Sequence, residues 1–149
     1  MPHLRLEVPE EMLADEYRER TGFNAWELLD ILVGVVANYK MVDVSAPGTM
    51  VPMINKSNLK HAIVPLKYGH MAGDKNLRFL HCSLSAGNDT PGRTAEVRME
   101  ASYKLGDAID AYIEGKCPEV KSVTAWIQDI DRDRGYTTTQ VRQKRRAAK

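Results

Sequence analysis

Residues 77–85 read LRFLHCSLS and residues 120–130 read VKSVTAWIQDI, and between them lies a segment of helical period. Both flanks are short, apolar-rich runs of strand length, and turn-forming residues bound them. From Thr94 to Gly115 the apolar side chains Val97, Ala101, Leu105, Ala108, Ile109, Tyr112 and Ile113 recur at the spacing of one helix face, with Gly115 as its stop. The loop 87–92, Gly-Asn-Asp-Thr-Pro-Gly, separates the first strand from the helix. The second half, about 76–131, therefore reads as one β-α-β unit.

Working back from it, 69–76 is turn-like and 59–68 (LKHAIVPLKY) reads as a strand. Pro65 cannot donate to a ladder, so that strand belongs at an edge or carries a bulge. Residues 41–58 hold Pro47, Gly48 and Pro52 and read as a long surface connection. Before it, Asn24 is a candidate N-cap, with Glu27 placed to complete a capping box. Trp26, Leu29, Val33 and Val36, widened by Leu32, Val35 and Tyr39, form the apolar stripe of the helix that follows. Residues 10–20 are charged with helical propensity, and Gly22 interrupts them. At the start, Leu4, Leu6 and Val8 alternate with His3, Arg5 and Glu7 as in a half-buried strand. The first half, about 1–70, is thus a second β-α-β unit. Beyond Ile130 we expect a turn at 132–136, a short polar strand and a basic tail over 141–149.

The whole chain, 1–149, reads as a single α+β domain, with helices on one face of a four-stranded sheet. Two architectures share this order of elements: the split β-α-β sandwich of ferredoxin type and a fused pair of β-α-β units. Periodicity does not separate them.

Composition excludes some classes. A formal net charge of +1 gives no overall pull toward nucleic acid or an anionic membrane. The longest apolar run, residues 28–37, is broken by Asp30 and falls short of the ~20 residues of a membrane span. Cys82 and Cys117 stand apart without a CxxC spacing, and with no secretion signal they read as reduced cytosolic thiols. The histidines His3, His61, His70 and His81 have no metal-ligand spacing, and Asp129 near a turn lacks the glycine and glutamate of a calcium loop. Trp26 and Trp126 are assigned to the core, and Arg98 to an ion pair with Glu96 or a neighbouring acid.

The residue that carries chemistry is Pro2. With Met1 removed, as is expected before a small residue, the chain begins with a secondary amine. Free α-amino groups titrate near pH ~7.7–8.0, so burial or nearby cations bring such an amine into the range of an efficient acid/base.

The opening MPHLRLEV, the strand FLHCSL (79–84), the segment GRTAEVR (92–98) and the run VTAWIQDI (123–130) together resemble the 5-carboxymethyl-2-hydroxymuconate isomerase family of amino-terminal-proline tautomerases. The resemblance implies two fused β-α-β units assembled as a homotrimer. It implies isomerisation of an unsaturated di- or tricarboxylic acid, without metal or organic cofactor. Pro2 is then the catalytic acid/base and Arg93 binds the substrate. The family's second cation falls on Lys60, beside His61, after a preceding stretch longer than the resemblance leads one to expect. Two alternatives remain. One is a relative of the same fold with hydratase or dehalogenase activity. The other is a non-catalytic ferredoxin-like module whose basic tail meets an acidic partner, a reading weakened by the absence of an aromatic RNA-binding strand motif.

Overall fold

The computed structural model describes residues 2–67, 69–71, 73–87, 90–130 and 139–148. Strand β1 (His3–Pro9) buries Leu4, Leu6 and Val8 on one face. A short 3-10 turn (Glu10–Leu13) leads into helix α1 (Asp15–Thr21), which ends at Gly22 in the left-handed conformation, φ 76°. Helix α2 (Ala25–Asn38) starts where expected: the Asn24 side chain accepts from the backbone N–H of Trp26 (3.0 Å) and Glu27 (3.4 Å). The reciprocal half of the capping box is replaced. The Tyr112 hydroxyl accepts from the Asn24 N–H (3.0 Å) and donates to Glu27 Oε2 (2.7 Å), so the cap is shared with another helix.

The expected surface connection at 41–58 is more structured than its prolines imply. It contains a hairpin, β2 (Lys40–Val42) and β3 (Met50–Pro52), which forms a two-stranded sheet of its own. Met41, Met53 and Ile54 around it are buried. Apolar residues interspersed among turn formers carry no clean period, so the pattern reads as loop. Strand β4 (Lys60–Leu66) follows, then the two-residue β5 (His70–Met71) and the long β6 (Asp74–Gly87). Helix α3 (Ala95–Ile113), capped by Thr94, crosses to β7 (Val120–Ile130). Residues 131–138, where a turn and polar strand are expected, lie outside the described residues. The tail that follows is helical, α4 (Thr139–Ala147).

The main sheet runs β4-β1-β6-β7, with β5 added beside β6 as a fifth strand. β1 and β4 are parallel from His3↔Lys60 to Pro9↔Leu66. β6 and β7 are parallel from Arg78↔Val120 to Gly87↔Ile130, with a register shift after Arg78. The two pairs join through antiparallel β1 and β6, from His3↔Ser85 to Glu7↔His81. Each crossover therefore connects neighbouring strands. A split β-α-β would insert a strand of the other unit between them, so the sheet order selects the fused-unit architecture. Pro65 lies on the edge strand, as its missing donor demands.

Helices α2 and α3 pack on one another, α2 against β4 and β1, and α3 against β7. Leu28, Leu29, Leu32, Leu105 and Ile109 meet Leu4, Leu6, Leu80, Cys82 and Leu84 across this layer. A fully buried aliphatic side chain of this kind contributes about 1.5–3 kcal/mol. The two tryptophans do not join this layer: Trp26 is 66% and Trp126 49% exposed. Trp26 is the second residue of α2, off the buried stripe. Trp126 pairs in register with Ser83, facing away from the helices, where its indole meets the His81 ring edge-on at 4.7 Å.

Candidate active site

β1 starts and β6 ends at the same end of the sheet. Its pairing with β6 closes at His3↔Ser85, which sets Pro2 beside the last residues of β6, Ala86 and Gly87. On the other flank, the Pro2 carbonyl accepts from the Lys60 N–H at 2.9 Å. Pro2 is half-buried and Lys60 exposed. Adjacent strands lie about 5 Å apart, and the registers put Pro2 one position off both Lys60, which pairs with His3, and Gly87, which follows Ala86. His3 registers the local field. Its imidazole is held below the usual 6.5, first by burial and then by the Lys60 charge.

Arg93 reaches this end of the sheet from the loop before α3. Its side chain is 4% exposed. Nη1 donates to the Gly87 carbonyl (3.0 Å) and to Asp129 Oδ1 (3.2 Å), while Nη2 makes a longer bond to the Met53 carbonyl (3.4 Å). Nε is buried and has no hydrogen-bond partner among the described residues. The guanidinium is therefore committed on its Nη1 side, while its buried Nε–Nη2 edge, whose two N–H groups match a carboxylate, holds only the long bond to Met53. Arg98 supports the arrangement by donating from Nη1 to Asp129 Oδ2 (3.0 Å) and to the Arg93 carbonyl (2.8 Å). The acid that pairs with Arg98 is thus Asp129.

Sequence reasoning considered Asp129 only as a calcium ligand. A signal for its role exists in the strand itself. Val123, Ala125 and Ile127 alternate toward the helices, and Asp129 continues that inward set. A carboxylate at an inward position demands a buried cationic or hydrogen-bonding partner. Met53 left no such signal, because it acts through its backbone carbonyl. The thiols stay chemically quiet: burial pushes Cys82 up to about 12 and raises Cys117 as well.

No protein-family model matches the chain, and no curated protein matches it. Solved structures do. The chain is similar to the crystal structure of 5-carboxymethyl-2-hydroxymuconate delta-isomerase, at 14% identity, TM-score 0.62, covering 93% of this chain and 87% of that one. It is similar to a 5-carboxymethyl-2-hydroxymuconate isomerase from Deinococcus radiodurans R1, at 20% identity and TM-score 0.63, over 97% and 93% of the two chains. A member of the cis-3-chloroacrylic acid dehalogenase family matches at 12% identity and TM-score 0.53, over 93% and 82%. Two parallel β-α-β pairs joined through antiparallel central strands, near-complete mutual coverage and these likenesses agree: the chain carries the tautomerase fold in the form seen in the 5-carboxymethyl-2-hydroxymuconate isomerase structures.

Proposed function

We propose that this protein is a cofactor-free isomerase that moves a proton along an unsaturated carboxylic acid such as 5-carboxymethyl-2-hydroxymuconate. The observation that carries the reading lies at one end of the sheet, where the Pro2 carbonyl accepts from the Lys60 N–H and Arg93 donates to the carbonyl of Gly87, the residue after Ala86 beside Pro2. With Met1 removed, the Pro2 nitrogen takes a proton from one end of the conjugated system and returns it at the other. A positioned acid/base of this kind contributes about 10²–10⁴-fold. Between the two transfers the substrate is a dienolate. Arg93 holds a carboxylate on its Nε–Nη2 edge, and Lys60 adds a point charge that gains strength as the enolate forms. Burial and then the Lys60 charge hold the His3 imidazole below its usual value, and the same positive charge opposes protonation of the Pro2 nitrogen.

The acting form is a homotrimer in the cytosol. Trp126, Met99 and Tyr103, exposed on a single chain, supply apolar surface for assembly. The test begins with intact mass, to establish that Pro2 is first, followed by an ultraviolet assay with dienol acids and, in parallel, 3-haloacrylates. Processed wild-type protein is expected to isomerise the dienol acids. Pro2→Ala is expected to lose activity by at least about a hundredfold. Turnover unchanged by Pro2→Ala removes the proline from the mechanism, and halide release without isomerisation moves the protein to the dehalogenase reading.

A further inference from the structure

The Arg93 edge that faces a carboxylate in the proposed reaction is partly occupied by the protein itself. Nη2 donates to the Met53 carbonyl at 3.4 Å, and the neighbouring Nε–H is buried without a partner among the described residues. A bond of that length to a neutral acceptor is weak, whereas charge-assisted bonds to a carboxylate run about 2.7–2.9 Å and are about twice as strong. A buried donor left unpaired on a charged group stands against the general rule that such groups are satisfied. Met53 comes from the segment just after the β2–β3 hairpin, which is not joined to the main sheet. The Met53 N–H is fixed to the Tyr39 carbonyl at 2.9 Å. The hairpin leans on the Arg93 loop at a second point: a Cβ built on Gly92 meets the Val42 carbonyl at 3.1 Å and Val44 Cγ1 at 3.2 Å.

We infer that residues 50–54 are a built-in competitor for Arg93: the Met53 carbonyl holds the carboxylate fork closed, and an entering acid displaces it. This rests on the reading of Arg93 as the carboxylate-binding residue. Met53 and Ile54 are buried, so the displacement is a swing of the 53–54 peptide with a small shift of β3 rather than extraction of the segment. A two-stranded hairpin is marginal by itself, and this one exposes Val42, Val44 and Met50 while Met41, Met53 and Ile54 anchor it in the core, so the shift is confined to the strand and the 53–54 peptide. Binding is then weakened by the fraction of molecules in which the fork is open, and anything that loosens the hairpin tightens it.

The test uses full-length processed protein and cis,cis-muconate, an unsaturated dicarboxylate without the 2-hydroxyl group, as the probe. Calorimetry measures binding, and hydrogen exchange follows the amides of residues 51–54. The acid is expected to bind saturably and to speed exchange at Met53 and Ile54 by about tenfold or more, corresponding to at least ~1.4 kcal/mol of lost protection. Arg93→Lys replaces the fork by a point charge, so binding weakens by about tenfold or more and the 51–54 amides exchange faster before any acid is added. Should that variant fail to fold, a second one leaves Arg93 intact: residues 43–49 replaced by a Gly-Ser run of equal length remove the loop's own hydrogen bonds and the Val44 contact with Gly92, which loosens the hairpin, and muconate is expected to bind it more tightly. Absence of binding, unchanged or greater protection at 51–54, or no tighter binding by the loosened hairpin overturns the inference. Dienol turnover and muconate binding measured side by side on the wild type separate the two readings. Muconate binding with the exchange response but no dienol turnover by wild type sinks the isomerase and keeps the competitor. Turnover with silent 51–54 amides does the reverse.

Discussion

Asp129 accepts from two arginines at once, and its removal leaves the Arg93 guanidinium buried with a lost counter-charge. Breaking a buried pair from one side costs several kcal/mol, because the remaining charge stays desolvated. Asp129→Ala is therefore expected to lower unfolding stability by about 3 kcal/mol, read as a shift of the urea midpoint at constant slope. His3 makes the chain sensitive to acid. Its folded-state pKa lies below 6.5, so the unfolded chain binds more protons as pH falls through 6.5 toward the depressed value. Stability is full above that window and declines on acidification through it. Melting curves at pH 7.5 and 5.5 are expected to differ less for His3→Gln than for wild type. At this scale the candidates that the sequence offers are those tied to chain position or to a motif. Pro2 is read from its place at the start, and Arg93 from the segment entering α3. Asp129 and the Met53 carbonyl are defined only by the register of β7 and by a hairpin packed from far along the chain, and no local pattern announces either contact.

Helix α2 shows how local signals and tertiary contacts divide the work. The Asn24 cap is written in the sequence, and Asn24→Ala is expected to cost about 1 kcal/mol, measurable by denaturant unfolding. The Tyr112 hydroxyl that completes the cap is not, because a pair 88 positions apart has no local pattern. Burial and the bond to Glu27 hold that phenol up at about 12, so it stays a donor throughout the ordinary pH range. The hairpin is the element that sequence reading missed, since its strands are too short for alternation to show. It depends on Gly92, which combines φ 88° with close approach of Val42 and Val44. A side chain held in that backbone region costs of order 1–3 kcal/mol. Gly92→Ala is expected to destabilise the chain within that range and to speed exchange in β2 and β3 before it affects β6. Equal protection of β2 and β3 in wild type and Gly92→Ala would detach the hairpin from the Arg93 loop.

Across the molecule, the strand and helix order was legible from two periods, 2.0 and 3.6, but the sheet order was not. Only pairing decides whether a crossover links neighbours, and pairing is a long-range property. The same limit explains the tryptophans: each sits in an apolar run, yet strand register and helix rotation turn both outward. If Trp126 packs against other copies, Trp126→Asp is expected to convert a particle of three 16.8 kDa chains into monomers in native mass spectrometry. An unchanged particle would put the assembly surface elsewhere. Cys82 lies unexposed in β6 between β1 and β7, whereas Cys117 follows α3 in a loop with its thiol against Tyr17. Two thiols thus time two different openings. A maleimide reaches Cys117 when the 114–119 loop frays, and Cys82 only when the central strands part. The ratio of the two alkylation rates reads global against local unfolding in one native sample, with no engineered label.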